Sequence, residues 1–220
     1  MPDPAFDNFT ANFLLFCVVM FGASLFPGPS FLLTFRNGLK YSSRIGIAGA
    51  IGLGFGLLPN VLASILGVAA LIHSSDMLYD LVRYAGAAFL MLLGIQSLFF
   101  AHAKTAAKTA AKMPALKHER QPDPSLKRAF IEGFLTNATN PKGILFFVAV
   151  FTQFVTAETV LWQKAAYGTA SFLIEMIWFC CLTLILHHPA LDKFTAFFMK
   201  YIDRLCGFLF FCLALKLLIA

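Results

Sequence analysis

One acidic residue stands inside a long apolar stretch: Glu175, among Phe172, Leu173, Ile174, Met176, Ile177 and Trp178. A carboxyl group there can load and release a proton, pair with a cation, or sit neutral and hydrogen-bonded to an asparagine on a neighbouring segment. A charge at mid-bilayer costs at least ~3 kcal/mol, so such residues are rare and by default mark pathways and relays. Glu175 is therefore read as functional, ahead of a structural acid. Gly168 and Ser171, seven and four residues earlier, share its helical face, which turns it into the bundle.

A second polar cluster surrounds a proline: Glu132, Thr136, Asn137, Thr139, Asn140, Pro141 and Lys142. Residues before a proline avoid helical geometry, so Asn140 should be non-helical and cap the helix that starts at Pro141. Helix N-termini offer unused amide donors and partial positive charge, which suit a carboxylate. Phe26-Pro27-Gly28-Pro29, followed by Ser30 and Phe31, makes a matching break in the first half. Lys142 either binds a carboxylate or snorkels to the interface, and the sequence favours neither. Arg36 reads as a topological anchor. Asn60 lies on a small-residue face and reads first as a helix-to-helix hydrogen bonder, second as a substrate contact. The expected binding set is Pro27, Gly28, Pro29, Ser30, Asn60, Asn137, Asn140, Pro141, Lys142 and Glu175, with Glu175 also carrying a coupling proton.

Other chemistries find poor material. His187-His188 and Cys180-Cys181 are adjacent pairs, which cannot both turn toward one ion from a regular helix. Cys17, Cys180, Cys181, Cys206 and Cys212 all fall in apolar runs and read as free thiols. A membrane-embedded enzyme would need a nucleophile–base pair or a metal cluster at depth, and a lone carboxylate supplies neither. Gly52-Leu53-Gly54 lacks the preceding strand that a nucleotide-binding loop requires. No cofactor is implied.

These groups must be positioned by membrane helices. Fifty-nine per cent of the 220 residues are hydrophobic and 13 per cent are charged, about half the charge of a soluble domain. Six spans are expected, at Phe9–Phe35, Ile45–Ile72, Tyr79–Phe100, Phe130–Val155, Ala165–Leu186 and Thr195–Leu218, each near the ~20 residues needed to cross. The first is too long and its flank too acidic for a signal peptide. Gly49, Gly52, Gly56, Asn60, Ala63 and Gly67 recur on one face of the second span, a stripe that brings helix backbones close.

The fold expected is an all-α membrane protein of two inverted three-helix repeats, 1–100 and 129–220, joined by a basic linker at 101–128. Three spans per half force the halves into opposite orientations, as in many secondary transporters. Arg83, Gly86, Phe89 and Leu92 in the third span are echoed by Arg204, Gly207, Phe210 and Leu213 in the sixth. Basic residues crowd alternate loops: Arg36, Lys40 and Arg44; the linker from Lys104 to Arg128; and Lys193, Lys200 and Arg204. That places these loops in the cytoplasm and both termini outside. The net charge of +6 is thereby explained without nucleic acid. The linker, with Lys-Thr-Ala-Ala repeated from Lys104, reads as a solvated connector ahead of an interfacial helix. Small-residue faces would serve a homo-oligomer and intrachain packing equally.

The combination of Phe26-Pro27-Gly28-Pro29, the Gly46/Gly49/Gly52/Gly56 series, Tyr84-Ala85-Gly86-Ala87-Ala88-Phe89-Leu90 with Leu93-Gly94-Ile95-Gln96, and Thr139-Asn140-Pro141-Lys142 before Phe146-Phe147 and Gln153-Phe154 resembles the LysE-type translocators, nearest the RhtB branch. The resemblance implies a bacterial inner-membrane exporter of amino acids or related small metabolites. Relatives in the wider superfamily move divalent cations, which makes a metal-cation exporter the alternative. Glu175 falls where relatives often carry Asp, and Thr152 where a proline is common. In the mechanism these readings suggest, the substrate carboxylate meets the amides near Pro29 and Pro141. Its ammonium meets Glu175, Asn60, Asn137 or unwound carbonyls, and protonation of Glu175 drives release.

Overall fold

The computed structural model describes residues 4–26, 28–99 and 121–188, with a few positions between 207 and 214. Pro27, the linker as far as residue 120, Lys193, Lys200, Arg204, Cys206 and most of the expected sixth span lie outside the described residues.

Among the described residues seven helices with full bounds follow in order: α1 (Pro4–Leu25), α2 (Pro29–Lys40), α3 (Ser43–Ser74), α4 (Asp76–Phe99), α5 (Leu126–Ala138), α6 (Pro141–Phe154) and α7 (Leu161–His187). Among the described residues three of them, α3, α4 and α7, are long and apolar enough to cross a bilayer. A fourth span is gained if α1 and α2, bent by 57° at their break, count as one. The expected fourth span is likewise two helices, parted at Thr139 and Asn140. α5 starts at Leu126, inside the stretch expected to be linker, because Ser125 caps it by accepting from the Arg128 amide at 3.2 Å.

The glycine stripe of α3 sets the closest packing, but only over part of its length. A Cβ on Gly52 or Gly56 would run into the carbonyl oxygens of Phe130 and Phe134, and one on Gly133 into that of Gly49. Backbone thus meets backbone along α3 and α5, which is how helices adhere in lipid without a hydrophobic drive between them. Ala63 and Gly67, expected on the same face, are exposed instead, because α5 ends at Ala138 and offers nothing beyond Asn60.

Two apolar clusters fill the interior. One gathers Phe16 and Met20 of α1, Leu57 and Val61 of α3, Leu90 of α4, Val150 and Phe151 of α6 and Tyr167 of α7. The other gathers Phe31, Phe35 and Leu39 of α2, Leu53 of α3, and Phe179, Leu182 and Leu186 of α7. Three paths pass from one cluster to the other, at Phe26 to Phe31, Leu53 to Leu57 and Tyr167 to Phe179. The buried polar residues Ser30 and Glu175 fall within these intervals. Apolar side chains such as Leu14, Leu66, Leu81, Leu92 and Ile177 face outward, as lipid requires.

Candidate functional site

The second break explains its own surroundings. Pro141 has no N–H, so the Asn137 carbonyl, four residues earlier, loses its helical partner. Asn60 of α3 supplies one, donating through Nδ2 at 3.0 Å, and the Asn140 amide adds a second bond at 3.2 Å. Asn140 is extended and caps α6, its Oδ1 accepting from the Lys142 amide at 3.2 Å. Asn60 therefore serves the helix break and does not line the cavity described below.

The Asn137 side chain ties three elements together. Its Nδ2 donates to Glu175 Oε1 at 2.6 Å and to the Leu53 carbonyl at 2.8 Å. Its Oδ1 accepts a long bond, 3.4 Å, from Ser30 Oγ just past the first break. This is the only amide orientation that meets two oxygen acceptors with donors and the hydroxyl with an acceptor. Glu175 is 8% exposed and Asn137 4%, so the array is shielded from solvent yet bridges α2, α3, α5 and α7.

A cavity of about 90 Å³ opens beside it. Its walls include Gly28, Pro29 and Ser30 at the first break, Asn137, Asn140 and Lys142 at the second, and Glu175 from α7. Phe26, Phe146, Phe147 and Phe179 supply apolar walls. At the ~30 Å³ that a water occupies in the liquid, the space admits roughly three waters. The N-termini of α2 and α6 both end on it; Gly28 caps α2 without a side-chain bond, so the first-turn amides of Ser30 and Phe31 have no side-chain cap. Seven of the ten expected residues thus meet at one cavity. Pro141 lies in the chain between the lining residues Asn140 and Lys142, Asn60 supports from α3, and Pro27 lies outside the described residues.

Two contacts were not read from the sequence. Lys142 Nζ lies 3.4 Å from the centroid of the Phe26 ring, across the cavity wall. Arg36, expected only as an anchor, bonds Asn37 Oδ1 at 2.9 Å and pairs with Glu132 Oε1 at 2.5 Å, linking α2 to α5. The signal for the first was the aromatic residue abutting the proline-glycine break. For the second it was the Glu132 charge inside an apolar run. Among the described residues no group of three or more His, Cys, Asp or Glu side chains could hold a metal.

Membrane-spanning helices broken at prolines, with their polar groups converging on one small central cavity, define a membrane transport protein. The chain matches the LysE type translocator family over residues 20–220 and belongs to that family. It is 27% identical to the threonine efflux protein of Escherichia coli K12 over 210 residues, 94% of this chain and 98% of that one. It is 33% identical to the leucine efflux protein of Enterobacter sp. strain 638 over 147 residues, 66% and 64% of the two chains. An uncharacterised membrane protein of Bacillus subtilis is 28% identical over 191 residues, 83% and 87% of the two. No solved structure matches the chain.

Proposed function

We propose that the protein exports a small amino acid across the bacterial inner membrane, by proton-coupled alternating access around the cavity between its two helix breaks. The observation that carries this reading is an amine and a carboxyl lining one small cavity: Lys142 with two helix N-termini, and Glu175 held by Asn137. A zwitterion presents the complementary pair. Its carboxylate suits Lys142 and the first-turn amides of α2 and α6, and its ammonium suits Glu175. The fixed amine also opposes a divalent cation as cargo. The threonine and leucine efflux relatives support the same substrate class.

Glu175 serves coupling because Asn137 donates to Oε1 in either protonation state, leaving Oε2 to gain or lose the proton. Protonation removes the charge that holds the ammonium and releases substrate outward. The two halves, read as inverted three-helix repeats, each begin with a broken helix and rock about the breaks. Both termini then face the periplasm.

The test is counterflow of labelled L-threonine and L-leucine in proteoliposomes, with and without a proton gradient. Glu175→Gln should lose gradient-driven export while remaining in the membrane. Undiminished gradient-driven transport by that variant sinks the coupling role, and absence of amino-acid exchange by the wild-type protein sinks the substrate class.

A further inference from the structure

The exposed face of α5 changes character along its length. Ser125, Lys127 and Arg128 stand at its start, and Ile131 and Leu135 follow Arg128 at three- and four-residue steps, so one face passes from cations to apolar side chains. This face lies opposite the buried Ala129, Gly133 and Asn137, and it forms a groove of about 480 Å³, against about 90 Å³ for the central cavity. Lys127, Arg128, Ile131 and Leu135 are all exposed. Glu132 is the one acidic residue in the groove, and it is committed across to α2, its Oε1 accepting from Arg36 Nη2. Neither Lys127 nor Arg128 pairs with a carboxylate among the described residues. Two positive charges therefore stand at the head of an apolar strip.

An occupant that matches this order carries an anion joined to a hydrocarbon chain. Inorganic phosphate would fill a small part of the groove and leave Ile131 and Leu135 uncovered. A second copy of the chain, docked about a two-fold axis through the groove, would set the same cations against their own copies. We propose that the groove at the start of α5 binds one anionic phospholipid, with its phosphate on Arg128 and Lys127 and an acyl chain along Ile131 and Leu135. The Arg128 guanidinium takes two phosphate oxygens and Lys127 adds a point charge. Ser125 Oγ accepts from the Arg128 amide and keeps its own proton to donate.

Native mass spectrometry tests the site, on the whole chain delipidated in detergent and titrated with dioleoylphosphatidylglycerol or dioleoylphosphatidylethanolamine. The wild-type protein should take up one phosphatidylglycerol ahead of any others and bind phosphatidylethanolamine far more weakly. Lys127→Gln with Arg128→Gln should weaken that first phosphatidylglycerol about twenty- to thirty-fold, from two basic residues at about 1 kcal/mol each and 1.4 kcal/mol per tenfold. Both side chains are exposed, so this variant should keep its fold. The exchange Lys127→Arg with Arg128→Lys retains the charge and should retain most of the affinity. Lys40→Gln with Arg44→Gln removes the same charge outside the groove and should leave the affinity unchanged. Equal losses in the two glutamine variants would reduce the effect to diffuse surface charge and overturn the site. Displacement of the lipid by inorganic phosphate alone would overturn it too. A wild-type dimer that the Lys127→Gln, Arg128→Gln variant alters, with lipid affinity unchanged, would assign the groove to a second copy instead.

Discussion

Asn137 shows how much one side chain can carry at membrane depth. Its amide meets a carboxyl, a backbone carbonyl and a hydroxyl from three other helices, while its own carbonyl takes the Asn60 amide. Asn137→Asp is nearly the same size but removes both donors and sets a second carboxyl against Glu175. We expect transport to fall below about a tenth of wild type. At ~0.6–1.7 kcal/mol for each lost bond in a membrane interior, stability should drop by about 1–3 kcal/mol. For a chain of this length that is a detergent melting point lower by about 3–10 °C. Normal transport by the aspartate variant would show that Glu175 does not depend on its amide. Asn60→Leu should cost stability more than transport, because it deprives the proline-orphaned carbonyl and leaves the cavity wall intact. Glu175 and Asn137 were both legible, since charge and amide stand out in apolar runs. A bond from Glu175 to an asparagine was one of the expected readings, but which asparagine was not legible, because Asn137 and Glu175 lie 38 residues apart and nothing local fixes that pairing.

The elements were legible in proportion to how local their causes are. Prolines and their preceding residues announced both breaks, and each lies where Pro29 and Pro141 open a helix. The glycine stripe announced close packing on α3 but not its extent, which depends on where α5 stops. That limit yields a paired test. Ala at Gly52 or Gly133 drives a methyl group into a facing carbonyl, so the helices must part, at a cost of ~1–3 kcal/mol typical of overpacking. Ala at Gly67 meets nothing within 4 Å, and the better helix propensity of alanine should stabilise α3 by up to ~1 kcal/mol. Thermal unfolding in detergent should therefore separate the two sites in opposite directions. Equal effects would mean that α3 and α5 do not meet along this face.

At the scale of the molecule, the loops sort themselves into two ends. The turn between α2 and α3 holds the close of the linker: the Gln121 amide donates to the Lys40 carbonyl at 3.1 Å, and the Ser42 amide donates to Asp123 Oδ1 at 2.9 Å. The last residue of α7 joins them, with His187 Nε2 at 3.0 Å from the Tyr41 carbonyl. These are the first, third and fifth connections, the ones whose lysines and arginines the sequence assigned to a single side. Tyr79, near the start of α4, instead bonds the Thr152 carbonyl near the end of α6 at 2.9 Å, drawing the second and fourth connections together elsewhere. Alternation of this kind is what single crossings would produce, were α1–α2 and α5–α6 each to serve as one bent span. Basic residues would then hold the clustered end in the cytoplasm. Single cysteines at Gln121 and Tyr41, in a background without the native thiols, should resist a membrane-impermeant maleimide in intact cells and react after permeabilisation. Cysteines at Ser75 and Glu158 should react in intact cells. Labelling of position 121 together with 158 from outside would break the alternation, and would require that α5–α6 enter and leave the membrane on one face.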